Sequence, residues 1–126
     1  MDESKFIAVD FDGTCVTHEY PRVGRDVGAV PVLRKIAHTH KLILWTMRSG
    51  PELDAAVEWF AKNGIPLWSA NCNPEQTKWT SSPKSYADLY IDDTALGAPL
   101  KKGGSGEKDY MNWEEVERML VGRGII

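Results

Sequence analysis

The sequence predicts an α/β fold built on a parallel sheet, on three observations. Short apolar runs, of the kind that fill a strand buried on both faces, recur along the chain. Segments whose apolar residues fall at helical spacing separate them, and alternating strand and helix is the signature of this class. The runs also end in carboxylates or hydroxyls, which must emerge at the carboxyl ends of their strands, since burial without a partner is prohibitively costly. In open α/β sheets that edge is where ligands bind.

Taken in order, Lys5–Phe11 supplies the first strand, with Lys5 to Val9 as its buried central part. Pro31–His38 is the first helix, its Val32, Leu33, Ile36 and Ala37 sharing one face. Lys41–Thr46 is the second strand. Ser49-Gly50-Pro51-Glu52 opens the second helix with a capping-box pattern and an early proline; Leu53, Ala56, Val57 and Phe60 form its buried face, and Asn63-Gly64 closes it. Ile65–Ala70 and Ala87–Asp92 are the third and fourth strands. Lys101-Lys102-Gly103-Gly104-Ser105-Gly106 is flexible by composition, reading as a plain surface connection or as a mobile loop near the site. Asn112-Trp113-Glu114-Glu115 is a second capping box, starting a last helix through Leu120.

The 126 residues carry a net charge of −3, which fits one domain spanning 1–126 and argues against nucleic-acid binding through a broad basic surface. No apolar run is long enough for a membrane span or a signal sequence, so no membrane partner and a cytoplasmic location are expected. Cys15 and Cys72 are too few for a disulfide framework and are read as reduced, Cys15 as a small buried thiol.

Candidate chemistry starts at Asp10-Phe11-Asp12-Gly13-Thr14, where an apolar strand delivers two carboxylates, one residue apart, into a glycine turn. Residues i and i+2 of an extended segment point the same way, so the two acids repel unless a shared proton or a hard cation such as Mg²⁺ joins them. Leu89-Tyr90-Ile91-Asp92-Asp93 repeats the pattern, and Leu42-Ile43-Leu44-Trp45-Thr46 ends in a hydroxyl. In a parallel sheet these three ends share one edge. Lys84, just upstream of the fourth strand, could add a cation.

With these four motifs in order, the chain resembles the haloacid dehalogenase (HAD) superfamily, from about Lys5 to Thr94. The resemblance implies a Rossmann-like three-layer sandwich with sheet order three, two, one, four, and Mg²⁺ as cofactor. It implies a phosphohydrolase acting on phosphomonoesters, with Asp10 as the nucleophile that forms an aspartyl-phosphate and Asp12 as the acid and base. Mg²⁺ would be held by Asp10, the Asp12 backbone carbonyl and Asp92, with Asp93 bound directly or through water. Thr46 and Lys84 would bind phosphate, with Lys78 as the other candidate lysine. Asp12 speaks against the dehalogenase branch. The same residues would also support phosphoryl transfer to another acceptor, or a non-catalytic module that binds Mg²⁺ or phosphate or is phosphorylated on Asp10.

Many members of that superfamily carry a cap domain between the first and second or the second and third motifs. Neither interval leaves room for one here, so a capless member is expected. Its open site would take a large or macromolecular phosphorylated substrate, or be covered by a neighbouring subunit of a homo-oligomer. The flap Val16–Arg22 and the loop Asn71–Trp79 should border the site, making His18, Asn71 and Lys78 candidates for substrate contact. Arg48, two residues beyond Thr46, reads equally as a substrate ligand or a structural ion pair. His18 also reads as a solvated loop residue, and Trp79 as a stacking surface or a loop anchor. His38 and His40 read as surface residues.

Overall fold

Phe6–Val9 (β1) lies at the centre of a four-stranded parallel sheet, its Ile7, Ala8 and Val9 buried. The computed structural model describes residues 4–126. After α1 (Ala29–Thr39) the chain returns through β2 (Lys41–Leu44), then α2 (Gly50–Lys62) and β3 (Ser69–Ala70), and crosses to β4 (Leu89–Ile91) on the far side of β1. The order is therefore β3-β2-β1-β4, as the resemblance implied. Val9 pairs with Leu44 on one side and Ile91 on the other, so the three strands end level with one another.

Strand alternation divides the core. Ile7, Val9, Leu42, Leu44 and Ile91 join one cluster with the apolar faces of α1, α2 and α3 (Trp113–Gly122). Ala8 and Ile43 point the other way, into a smaller cluster with Ala87 and the partly buried Phe6, Trp45 and Trp68. The third layer of this Rossmann-like sandwich is made by the segment crossing from β3 to β4, which contains a 3₁₀ helix, Pro74–Lys78, instead of a long α-helix. Gln76 knits it together: its amide donates to the carbonyls of Ser82 and Lys84 and accepts from the Tyr86 N–H.

Several boundaries differ from expectation for identifiable reasons. α1 begins two residues before Pro31, because the Asp26 carboxylate accepts from the N–H groups of Gly28 and Ala29, and Pro31 then sits in the first turn, where no N–H is needed. Ser49 occupies the α2 cap position but its side chain makes no capping bond, whereas Asn112 of α3 accepts from the Glu115 N–H as expected. β3 is only two residues long, although Ile65 is buried. The glycine run is the turn of a hairpin, β5 (Leu100–Lys101) against β6 (Tyr110–Met111). His40 is tied down on both sides: its Nδ1 accepts from the Lys5 N–H and its Nε2 lies 2.8 Å from the Ile125 carbonyl. Among the described residues no helix is long and apolar enough to cross a membrane.

Candidate functional site

Because Val9 and Ile91 are register partners, the next residues of both strands emerge side by side, and the Asp10 N–H donates to the Ile91 carbonyl at 2.9 Å. Asp10, Asp92 and Asp93 each bring a carboxylate oxygen to a point where all three lie within 4.8 Å of one another. Burial and the neighbouring charge of Asp92 push the Asp10 carboxyl up to about 8, with Asp93 adding to the effect and a hydrogen bond from Thr14 opposing it. Such a cluster favours a proton or a cation. Three hard oxygen donors and no sulfur or nitrogen ligand among them suit Mg²⁺.

Thr14 organises the cluster from beneath. Its fully buried hydroxyl lies 2.9 Å from Asp10 Oδ2 and 3.1 Å from Asp93 Oδ1, and accepts from the Asp93 N–H at 3.0 Å. One hydroxyl carries one proton, so it can donate fully to only one of the two carboxylates at a time. Gly13 is required by the turn: its φ is +83°, and a Cβ there would lie 2.1 Å from His18 Nε2 and 2.4 Å from Asp93 Oδ2. Asp92 is oriented by Thr94, whose N–H and hydroxyl both donate to Oδ1.

Above Asp10 opens a pocket of about 340 Å³ lined by Trp45, Thr46, Met47, Asn71 and Asp92. Asn71 adopts a left-handed φ of 57°, which asparagine tolerates, and its Oδ1 accepts from the Thr46 N–H at 2.8 Å. The Thr46 hydroxyl accepts from the Arg48 N–H, leaving its own proton for a ligand. Met47 stands almost wholly exposed on the rim.

Arg48 is an ion-pair residue. Only 2 % exposed, it grips Asp12 with Nε to Oδ2 and Nη2 to Oδ1, both at 2.8 Å, and its remaining N–H groups reach the carbonyls of Pro21, Arg22 and Glu52. Asp12 pushes the guanidinium pKa above its ordinary value. Of the two readings open for Arg48, the structural pair holds, and no donor remains for substrate.

No protein-family model and no curated protein matches the chain. Among solved structures, a conserved protein from Bacteroides thetaiotaomicron is 35% identical, with 96% of this chain and 93% of that chain covered and a TM-score of 0.77. The chain belongs to that protein's family. The match runs almost end to end in both proteins, so the sheet carrying the three acids lies within the region this family shares.

Other sequence candidates in this family member lie elsewhere. Lys84 is exposed, with its ammonium 5.4 Å from the centre of the Tyr90 ring, and it does not line the pocket over Asp10. Lys78, at the end of the 3₁₀ helix, is exposed and outside the pocket too. The chain between β3 and β4 is folded in on Gln76, and this turns both lysines outward. His18 does not line the pocket over Asp10 but a second one beside the flap and the glycine hairpin; its side chain is 25 % exposed, and its Nε2 lies 3.2 Å from Asp93 Oδ2, against the acid cluster. The side chain of Asp12, engaged by Arg48, stands outside that cluster. Cys15 is buried, with its thiol pKa raised by burial; Cys72 is exposed, and both are free. Trp79 is largely exposed and meets Tyr86 edge-on at 5.9 Å.

Two residues that hold the acid cluster and its turn in place are not singled out by the sequence. Thr14 was seen only as part of its motif, although its position four residues after Asp10 across a tight turn is a signal that it could fold back. Trp113, buried on α3, donates its indole N–H to the Thr14 carbonyl at 2.6 Å. Nothing in the spacing foretold that contact across 99 residues.

Proposed function

We propose that this protein is a Mg²⁺-dependent phosphohydrolase of the HAD superfamily, cleaving phosphomonoesters through an aspartyl-phosphate on Asp10. The observation that carries this reading is the convergence of Asp10, Asp92 and Asp93 at the carboxyl edge of a parallel sheet, with Asp10 driven up to about 8 by burial and repulsion. Mg²⁺ would be held by those carboxylates and the Asp12 backbone carbonyl. When bound it neutralises the acids and draws in an anionic substrate.

The chain's own groups perform the rest. Asp10 attacks phosphorus, the bond to the ester oxygen breaks, and Asp12 gives that oxygen a proton. Asp12 then takes a proton from a water that attacks the phosphorus, releasing inorganic phosphate and free Asp10. Thr46 supplies a hydroxyl held rigidly, since its backbone N–H is fixed by Asn71. With no lysine lining the pocket, the Thr46 hydroxyl holds the phosphoryl oxygens from the protein side. The open pocket with exposed Met47 at its rim favours a phosphate on a large or macromolecular substrate.

The test is phosphate release from a panel of phosphomonoesters, with Mg²⁺ and with EDTA, for the wild type and Asp10→Asn. Metal-dependent turnover that disappears in the variant is expected; turnover retained by Asp10→Asn would overturn the nucleophile assignment.

A further inference from the structure

Arg48 does not line the pocket over Asp10 and keeps no donor for a ligand, yet every N–H of its guanidinium is bonded. Its guanidinium is packed between two aromatic rings, 5.0 Å from the centre of Phe11 and 5.2 Å from that of Tyr20. Five hydrogen bonds join three parts of the chain: Asp12 of the turn after β1, Pro21 and Arg22 of the flap, and Glu52 in the first turn of α2. A planar fork sets both the distance and the rotation of the carboxylate it grips, which a lysine ammonium does not. Each Asp12 oxygen still has a lone-pair direction beyond the arginine.

We infer that Arg48 is a positioning residue: it fixes the Asp12 carboxylate and ties the flap to α2, so that Asp12 faces the ester oxygen in one orientation. This rests on the phosphohydrolase reading above. Arg48 touches no reacting atom and acts only through Asp12. A buried ion pair with a purely structural task would slow every substrate alike on removal. A positioning pair would instead slow those substrates whose leaving group needs a proton.

That difference is measurable with Arg48→Lys and two substrates, an alkyl phosphate and p-nitrophenyl phosphate, whose nitrophenolate leaves without protonation. The readout is single-turnover release of the leaving group, which isolates the first step. Arg48→Lys is expected to slow the alkyl phosphate by about 10²-fold, within the range for loss of a positioned acid, and nitrophenolate release by less than about 10-fold. Asp12→Asn should show the same selectivity, and the double variant should be no slower than Asp12→Asn alone. Tyr20→Ala removes an exposed ring from the guanidinium without emptying the core, and should reproduce the selectivity more weakly; it decides the matter if Arg48→Lys does not fold. Equal slowing of both substrates, or costs that add in the double variant, would overturn the positioning role while the phosphohydrolase stands. A wild type that releases phosphate from neither of them, nor from any phosphomonoester of the wider panel with phosphorylated proteins included, overturns the phosphohydrolase reading and this inference with it.

Discussion

Asp10 and Asp93 compete for the single proton of the Thr14 hydroxyl, and a bound cation would relieve that competition by taking over one carboxylate. Thr14→Val keeps the shape and removes the hydroxyl, leaving both acids and the Asp93 N–H without their partner. A hydrogen bond to a charged group contributes about 1.5–3 kcal/mol, so Mg²⁺ affinity should fall roughly 10- to 100-fold, measured by calorimetric titration. Unchanged affinity would mean that Thr14 does not organise the site. At this scale the acids were readable from sequence because an apolar strand ending in Asp-x-Asp has few physical solutions. Arg48 and Lys84 were not, because a long side chain's destination is set by what the fold brings near it. The Pro21 and Arg22 carbonyls capture Arg48, while Lys84 settles over Tyr90.

The elements around the site are coupled to it through a few long-range bonds. The β6 N–H of Met111 donates to the Gly13 carbonyl, and Trp113 at the start of α3 donates to the Thr14 carbonyl, so the hairpin and the last helix brace the turn bearing Asp10 and Asp12. Trp113→Phe should retain most of the packing but orphan a buried carbonyl, costing about 1–3 kcal/mol in denaturant unfolding and weakening Mg²⁺ binding together. Stability lost without any change in Mg²⁺ binding would confine α3 to a packing role. In the hairpin, a Cβ on Gly103 would lie 2.4 Å from the Lys108 carbonyl oxygen, so Gly103→Ala should open the turn and release Arg25 from Glu107, seen as faster amide exchange at residues 100–111. The four parallel strands were readable because burial on both faces imposes continuous apolar runs. The hairpin was not: each strand is two residues long, too short for alternation to register, and its glycines resemble a linker. The start of α1 was missed because its capping acid, Asp26, stands two residues before the Gly28 cap position.

Across the whole molecule, the charge held at the sheet edge links stability to pH and to metal. Without metal, the Asp10 carboxyl titrates near 8 in the folded chain against an ordinary value of 3.8, chiefly because burial and Asp92 disfavour its anion. Between those values the folded protein holds a proton that the unfolded chain has released. Unfolding free energy then decreases as pH rises: the Asp10 contribution is fully present below its unfolded pKa and is lost as pH climbs toward 8. Asp10→Asn removes this slope, because the amide stays neutral at every pH. In EDTA the variant should therefore melt progressively higher than the wild type as pH is raised from about 5 to about 8. Mg²⁺ binding to the ionised cluster should stabilise the wild type more at about pH 8 than at about pH 5, since at the lower pH it must displace the proton. That pH-dependent gain should shrink sharply in Asp10→Asn. Thermal melts of both proteins at the two pH values, with EDTA and with Mg²⁺, test all of this at once. A metal-induced shift that ignores pH, or that is equally large in Asp10→Asn, would show that Asp10 is not where the cation and the proton compete.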